Sequence, residues 1–339
     1  MTSTSTAIER PAANASEHNG TGVDYHAPMP RPKINGVPID FHVHITAARH
    51  GTEWFDAARH YGFERFATMT PLEEAVELQR ILPGLLHFIA IPKWHDWSDG
   101  FIERWRQRIA DFHQLGSRIA KFWFAPPAWE RGWRLDSDQF RPLLKEAVSR
   151  GMAIMTHIGD PELWYRTKYA DAARFGTRDD HYRMWENVLQ EYPGVPWLAA
   201  HLAGNPENLS RLQRLLDRYP NLYMDCSATK WIVRDLCARR DEAREFFIRN
   251  QDRIIFGTDL VTGDQRDWDF LASRFWSHRK LWETAYVGPS PIYDPDLPDD
   301  AQPVFRGLAL PDDCLQKLYH DNALKFLSSV GATLSDTPR

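Results

Sequence analysis

The stretch "GVPIDFHVHI", Gly36 to Ile45, sets two histidines one residue apart inside a short apolar run. Valine or isoleucine would pack better there, so the imidazoles need a reason. In a β-strand, residues i and i+2 point to the same side. Asp40, His42 and His44 then share one face, and Phe41, Val43 and Ile45 the other. Two imidazoles on one face are either a chance polar pair or half of a metal site, and the rest of the chain has to decide.

Seven further runs of the same kind follow: "ERFATM" (64–69), "LLHFIAI" (85–91), "RIAKFWF" (118–124), "MAIMTHI" (152–158), "PWLAAHL" (196–202), "LYMDCSA" (222–228) and "RIIFGTD" (253–259). Helical patterns lie between them. "PLEEAVELQRIL" places Pro71, Glu73 and Glu74 at a helix start, where acidic side chains meet the positive dipole end. "DQFRPLLKEAVSRG" stops on Gly151, a helix-capping residue. "NPENLSRLQRLLDRYP" carries Leu209, Leu212, Leu215 and Leu216 on one stripe and stops at Pro220. Eight strands, each followed by helix-forming sequence, predict a (β/α)₈ TIM barrel, with strands apolar enough to be buried on both faces. A doubly wound open sheet is the runner-up, but no GxGxxG turn follows the first strand. Residues 1–34, rich at the start in Ser, Thr, Ala, Asn and Gly, read as a disordered tail. The barrel is expected over 35–330. Within it, 260–310, dense in Pro and Asp, reads as a long loop over the barrel mouth.

The 339 residues carry a net charge of −5, with 43% hydrophobic and 26% charged side chains, so no basic surface for nucleic acid is expected. No apolar run has the length of a membrane span, and the N-terminus lacks the apolar core of a signal peptide. Cys226, Cys237 and Cys314 are too few and scattered for a disulfide framework. A cytoplasmic enzyme acting on a small molecule is the expected class, as a homodimer or a larger homo-oligomer. Six of the 14 tryptophans fall between Trp94 and Trp133, as packing residues or as the wall of an apolar pocket.

A barrel makes a demand on the sequence: chemical residues should recur at the C-terminal ends of the strands. His42 and His44 end the first strand, Lys121 sits in the fourth, His157 ends the fifth, His201 the sixth and Asp259 the eighth. Imidazole and carboxylate side chains are suitable ligands for zinc, iron or manganese. The order HxH, Lys, His, His, Asp resembles the amidohydrolase superfamily, and within it the amidohydrolase-related (amidohydrolase 2) barrels. The likeness rests on "DFHVH", "THIGDP", "AAHLAGNPENL", "YPNLYMDCSA", "DRIIFGTD" and "YHDNALKFL". It implies His42, His44, His157 and Asp259 as core ligands of a divalent metal, zinc first and manganese or iron next. His201 is then a second-metal ligand or an acid/base residue. Lys121 is either carboxylated, bridging two ions, or unmodified and binding substrate.

The same resemblance implies hydrolysis of an amide, lactone or ester carbonyl by metal-activated water, with Asp259 and His201 catalytic. Its alternative is non-oxidative decarboxylation of an aromatic or muconate-type acid. "DLVTGDQ" after the eighth strand departs from the Asp-Tyr-Pro often found in the decarboxylases. A third reading is a barrel that binds a metal or ligand without catalysis. Lys121, Trp123, Asp160, Trp164, Arg166 and Lys230 are the candidates to line a pocket for a substrate with an aromatic or apolar body and an acidic group.

Overall fold

The computed structural model describes residues 16–334. The strands are β1 (Ile39–His44), β2 (Arg65–Thr68), β3 (Leu86–Ala90), β4 (Ile119–Trp123), β5 (Ala153–His157), β6 (Trp197–Ala199), β7 (Leu222–Asp225), β8 (Ile254–Ile255) and β9 (Leu260–Val261). They pair in the order β8-β7-β6-β5-β4-β3-β2-β1-β9. The last two are halves of the eighth barrel strand: β8 pairs in parallel with β7, and β9 with β1. Backbone bonds from Phe41 N–H to Phe256 O (3.0 Å), Asp259 N–H to His42 O (2.7 Å) and Thr262 N–H to His44 O (2.9 Å) join the ends of the sheet. The result is a TIM-barrel α/β fold.

Strand side chains on both faces are buried, as a sheet covered by helices requires: Phe41, Val43, Ile119, Ile154, Leu198 and Ile255 are fully enclosed. The helices bury the stripes their spacing set. Leu209, Leu212, Leu215 and Leu216 of the helix Leu209–Arg218 face inward. The helix Arg141–Ser149 stops before Gly151, whose φ of +68° is the left-handed conformation a glycine cap supplies. From the C-terminal segment, Asn322 Nδ2–H bonds Ile254 O (2.8 Å) and Leu318 O accepts from Phe256 N–H (2.9 Å), which braces the short β8.

Two expectations are corrected here. Residues 1–15 of the expected tail lie outside the described residues, but 16–34 pack against the barrel. Tyr25 is buried beside Trp276, its hydroxyl donates to His18 O (2.8 Å), and its carbonyl accepts from Tyr61 Oη–H (3.0 Å). His26 stacks on Trp268 at 5.0 Å. These aromatic contacts outweigh the polar composition around them. The second correction concerns 260–310, which is not one long loop. It contains a 16-residue barrel helix, Trp268–Glu283, and an antiparallel hairpin of β10 (Val287–Pro289) and β11 (Val304–Arg306). The segment between the hairpin strands reaches toward the mouth: Asp296 Oδ2 accepts from Trp164 Nε1–H (2.6 Å) and Oδ1 pairs with Lys168 (2.9 Å).

Candidate metal centre

β1 carries one extra residue against β2 between Asp40 and Val43. Such a bulge re-aims side chains at a site. Asp40, fully buried, accepts from Thr258 N–H (3.0 Å), Thr258 Oγ1–H (2.7 Å) and His42 N–H (3.2 Å). It thereby ties β1 to the turn that presents Asp259. Burial raises the Asp40 carboxyl to about 7, against those hydrogen bonds. Gly257, in the same turn, lies so close to β1 that a Cβ would stand 2.7 Å from His42 Cβ. Asp259 itself is left-handed, φ +57°, as is the run His201 (+57°), Leu202 (+49°), Ala203 (+55°) and Gly204 (+66°). A Cβ on Gly204 would fall 1.9 Å from Gly159 O. Non-glycine residues in this region are strained, and here they cluster at strand ends around one point.

That point is Asp259. Its Oδ1 lies 3.2 Å from His42 Nε2 and 3.2 Å from His44 Nε2, and its Oδ2 4.0 Å from His201 Nε2. Lys121 Nζ stands 3.1 Å from His42 Nε2. His42, His201 and Asp259 each offer one donor atom, all within 4.8 Å of one another. This is near the spread of ligand atoms about 2 Å from a shared ion, so the residues present fit a divalent metal. His44 and Asp259, 21% and 27% exposed, face the opening, whereas His42 and His201 are buried.

The outward nitrogens of both buried histidines are anchored on the end of β7 and the turn that follows it. Asp225 Oδ2 accepts from His42 Nδ1–H (2.8 Å), and its Oδ1 accepts from His201 N–H (2.8 Å), Ser227 N–H (3.2 Å) and Ser227 Oγ–H (2.5 Å). Ser227 Oγ also lies 2.7 Å from His201 Nδ1. With Nδ1 engaged, each ring turns Nε2 toward Asp259, the arrangement that orients metal-ligating histidines. Sequence reading missed Asp225, although it ends the seventh strand and obeys the same strand-end rule as the others.

Charges follow from these contacts. Burial alone would raise the Asp259 carboxyl, but His201, His42 and His44 hold it well below the usual carboxylate range. Burial keeps His201 neutral, well below its ordinary value, and lowers His44. Burial and Lys121 oppose charging of His42, yet Asp225 and Asp259 prevail and raise its pKa. A metal arriving at Nε2 would displace that proton. Burial lowers the Lys121 ammonium to about 8, with Asp259 and Asp225 opposing the fall.

The structure brings His42, His44, His201, Asp259 and Lys121 together. His157 is adjacent: its Nε2 pairs with Asp160 Oδ1 at 2.9 Å, and its ring lies 4.8 Å from that of His201. Among the candidate pocket residues, Trp123 lies 6.3 Å from the His157 ring. Trp164 packs on Trp231 at 5.0 Å, and Trp231 in turn faces His201 at 5.5 Å and His157 at 6.3 Å. Trp231 was not foreseen; it directly follows Lys230 in "SATKW". Two candidates are not brought to the cluster. Arg166 is largely exposed and pairs with Glu162. Lys230 lies beside a cavity lined by Val233, Ile292 and Asp294.

No helix among the described residues is long and apolar enough to cross a membrane. No curated protein matches the sequence. Among solved structures, the chain is similar to a protein of Pseudomonas putida provisionally assigned as a 2-pyrone-4,6-dicarboxylic acid hydrolase, with TM-score 0.55 and 13% identity, covering 87% of this chain and 99% of that one. It is also similar to 5-carboxyvanillate decarboxylase of Novosphingobium aromaticivorans DSM 12444, complexed with manganese and 4-hydroxy-3-methoxy-5-nitrobenzoic acid, with TM-score 0.50 and 11% identity, covering 88% and 99%. At these identities the likeness is one of fold. The sequence profile of the amidohydrolase family matches residues 39–328, and with the barrel and its strand-end residues in place, the chain belongs to the amidohydrolase family of enzymes.

Proposed function

We propose that the chain is a metal-dependent hydrolase of an amide, lactone or ester carbonyl in a small acidic or aromatic molecule. The observation that carries this reading is the ionised Asp259, flanked at 3.2 Å by Nε2 of both His42 and His44 and open to the mouth. A divalent ion held by His42, His201 and Asp259, with His44 beside them, would supply Lewis acidity toward a carbonyl oxygen and lower the pKa of water at neutral pH. Asp259 takes the proton of the attacking water and passes it to the leaving group. Trp123 and Trp231 each lie 6.3 Å from the His157 ring and would offer an aromatic wall for the substrate beside the cluster. Imidazole and carboxylate donors suit zinc, and manganese next. Lys121, buried at 3.1 Å from His42, supports a second ion if carbon dioxide adds to its amine as a carbamate.

A specific observation favours decarboxylation as the second reading. The three-residue cluster offers a single carboxylate, which suits one ion. An unmodified Lys121 would then face the acidic group of the substrate. Metal content per chain and product analysis separate the two. Two ions with water-dependent cleavage of a lactone, amide or ester are expected. One ion with release of carbon dioxide from an aromatic acid would replace hydrolysis by the second reading. A chain that neither holds nor takes up metal would refute both.

A further inference from the structure

Behind the metal cluster, a chain of buried polar groups runs from the helix Trp268–Glu283 to the turn that carries Asp259. His278 is fully enclosed and Thr229 nearly so, and Phe256 packs edge-on to the His278 ring at 5.3 Å. Polar groups are costly in such surroundings unless their hydrogen bonds are made, and a leucine would fill the space of the imidazole without that cost. The bonds here have a direction. An indole N–H can only donate, so Trp282 Nε1–H bonds to His278 Nδ1 (3.3 Å). Burial lowers the imidazole to about 3, so the ring is neutral and its one proton sits on Nε2. Nε2–H donates to Thr229 Oγ1 (3.0 Å), which leaves the hydroxyl proton for Thr258 O (3.3 Å).

Thr258 O and Asp259 N–H belong to one planar peptide unit. Asp259 N–H bonds His42 O at 2.7 Å, so the plane is gripped on both edges, by β1 and by the start of the helix Thr229–Ala238. Turning this plane changes ψ of Thr258 and φ of Asp259 together. Thr258 is otherwise fixed, with its N–H and Oγ1–H given to Asp40, so locking the plane holds Asp259 at its φ of +57°. A left-handed non-glycine residue persists only where its surroundings over-determine it. The segment after β7 therefore reaches His201 through Ser227 and Asp259 through Thr229.

We propose that Thr229 and His278 are positioning residues of the metal centre, acting through the Thr258 carbonyl to hold the Asp259 carboxylate where His42, His44 and His201 converge. This rests on Asp259 as a ligand of the proposed ion, but the turn itself can be read without metal.

Thr229→Val removes the hydroxyl at nearly constant shape and leaves Thr258 O and His278 Nε2–H without partners; Thr229→Ser restores the hydroxyl. For each, zinc affinity is measured by chelator competition and global stability by urea unfolding of the metal-free protein. Amide exchange read by mass spectrometry compares 256–262 with the rest of the barrel. Thr229→Val should bind zinc about tenfold more weakly, the loss expected when a buried hydrogen bond is broken. It should also exchange faster within 256–262 than its change in global stability accounts for. Thr229→Ser should bring zinc affinity back to within about twofold of the parent. A merely structural hydroxyl would lower the urea midpoint and leave zinc affinity and the relative exchange of 256–262 unchanged, and that result overturns the proposal. Nitrogen NMR of the unaltered protein covers the case of a variant that does not fold: His278 should carry its proton on Nε2 between about pH 5 and 8, and a proton on Nδ1 overturns the relay. A parent chain that takes up no zinc would refute the metal reading, and exchange over 256–262 would then decide the positioning alone.

Discussion

Replacing Asp225 with asparagine changes one atom and tests how the metal centre is held. In the native chain, Oδ1 receives three donors, from His201 N–H, Ser227 N–H and Ser227 Oγ–H, while Oδ2 receives His42 Nδ1–H. An asparagine has one acceptor oxygen, and the three donors fix it on the Oδ1 side. The amide NH₂ must then face His42 Nδ1. Two donors cannot bond, so His42 takes the other tautomer, with its proton on Nε2. That nitrogen is the one aimed at Asp259, 3.2 Å away, and once protonated it has no lone pair for a metal. Loss of such an orienting partner weakens metal affinity by about 10–100-fold, or about 1.4–2.7 kcal/mol. The assay is zinc affinity by chelator competition, with circular dichroism showing that the barrel persists. Ser227→Ala is the control: it leaves Asp225 in place to hold the tautomer and should cost less than the asparagine. An Asp225→Asn protein that binds zinc within about threefold of the parent would refute the tautomer argument.

Other outcomes follow from separate features. His87 is buried on β3, and burial, followed by the Arg118 charge, lowers its pKa to about 4 from 6.5. The unfolded chain therefore binds the extra proton between those values, so stability present above pH 6.5 is lost as pH falls to 4, by up to about 3 kcal/mol. His87→Gln keeps an acceptor for Arg118 N–H and should flatten this part of the pH–stability curve measured by urea unfolding; a curve as steep as the parent's would count against it. Gly257→Ala places a methyl group 2.7 Å from His42 Cβ, and should cost about 1–3 kcal/mol and reduce bound metal together, which paired unfolding and metal analysis would show. Trp231→Leu removes the ring facing His201 at 5.5 Å; it should raise KM for an aromatic substrate more than it lowers kcat, and an unchanged KM would remove Trp231 from the pocket wall.

Strand positions were legible because a parallel barrel needs apolar residues on both strand faces, and that requirement writes continuous runs such as "MAIMTHI" and "PWLAAHL". The convergence of His42, His201 and Asp259 was legible for the same reason, since a barrel sends all strand ends to one rim. Orientation was not. Nothing in "THIGDP" tells that Asp160, three residues on, engages Nε2 of His157 at 2.9 Å. Asp225 escaped notice because a lone aspartate in "LYMDCSA" has no partner in sequence; its four hydrogen bonds reach positions as far away as His42. The packing of 16–34 was hidden by composition, since Tyr25 and His26 are a small aromatic minority among polar residues. The helix Trp268–Glu283 was hidden in a different way. It is buried nearly all round, so it lacks the alternating stripe that marks a surface helix.

The split eighth strand makes the ring's fastening and its chemistry the same few residues. Asp259 offers its side chain to the cluster while its backbone N–H fastens to β1. A lineage of such proteins cannot insert or delete residues in this turn without also finding a new way to shut the ring. By contrast, the segments at 91–100 and 160–175 supply none of those fastening bonds, so they are free to vary. Change of substrate should therefore come cheaply through those segments, and engineering for new specificity should begin there and leave the turn at 256–259 alone.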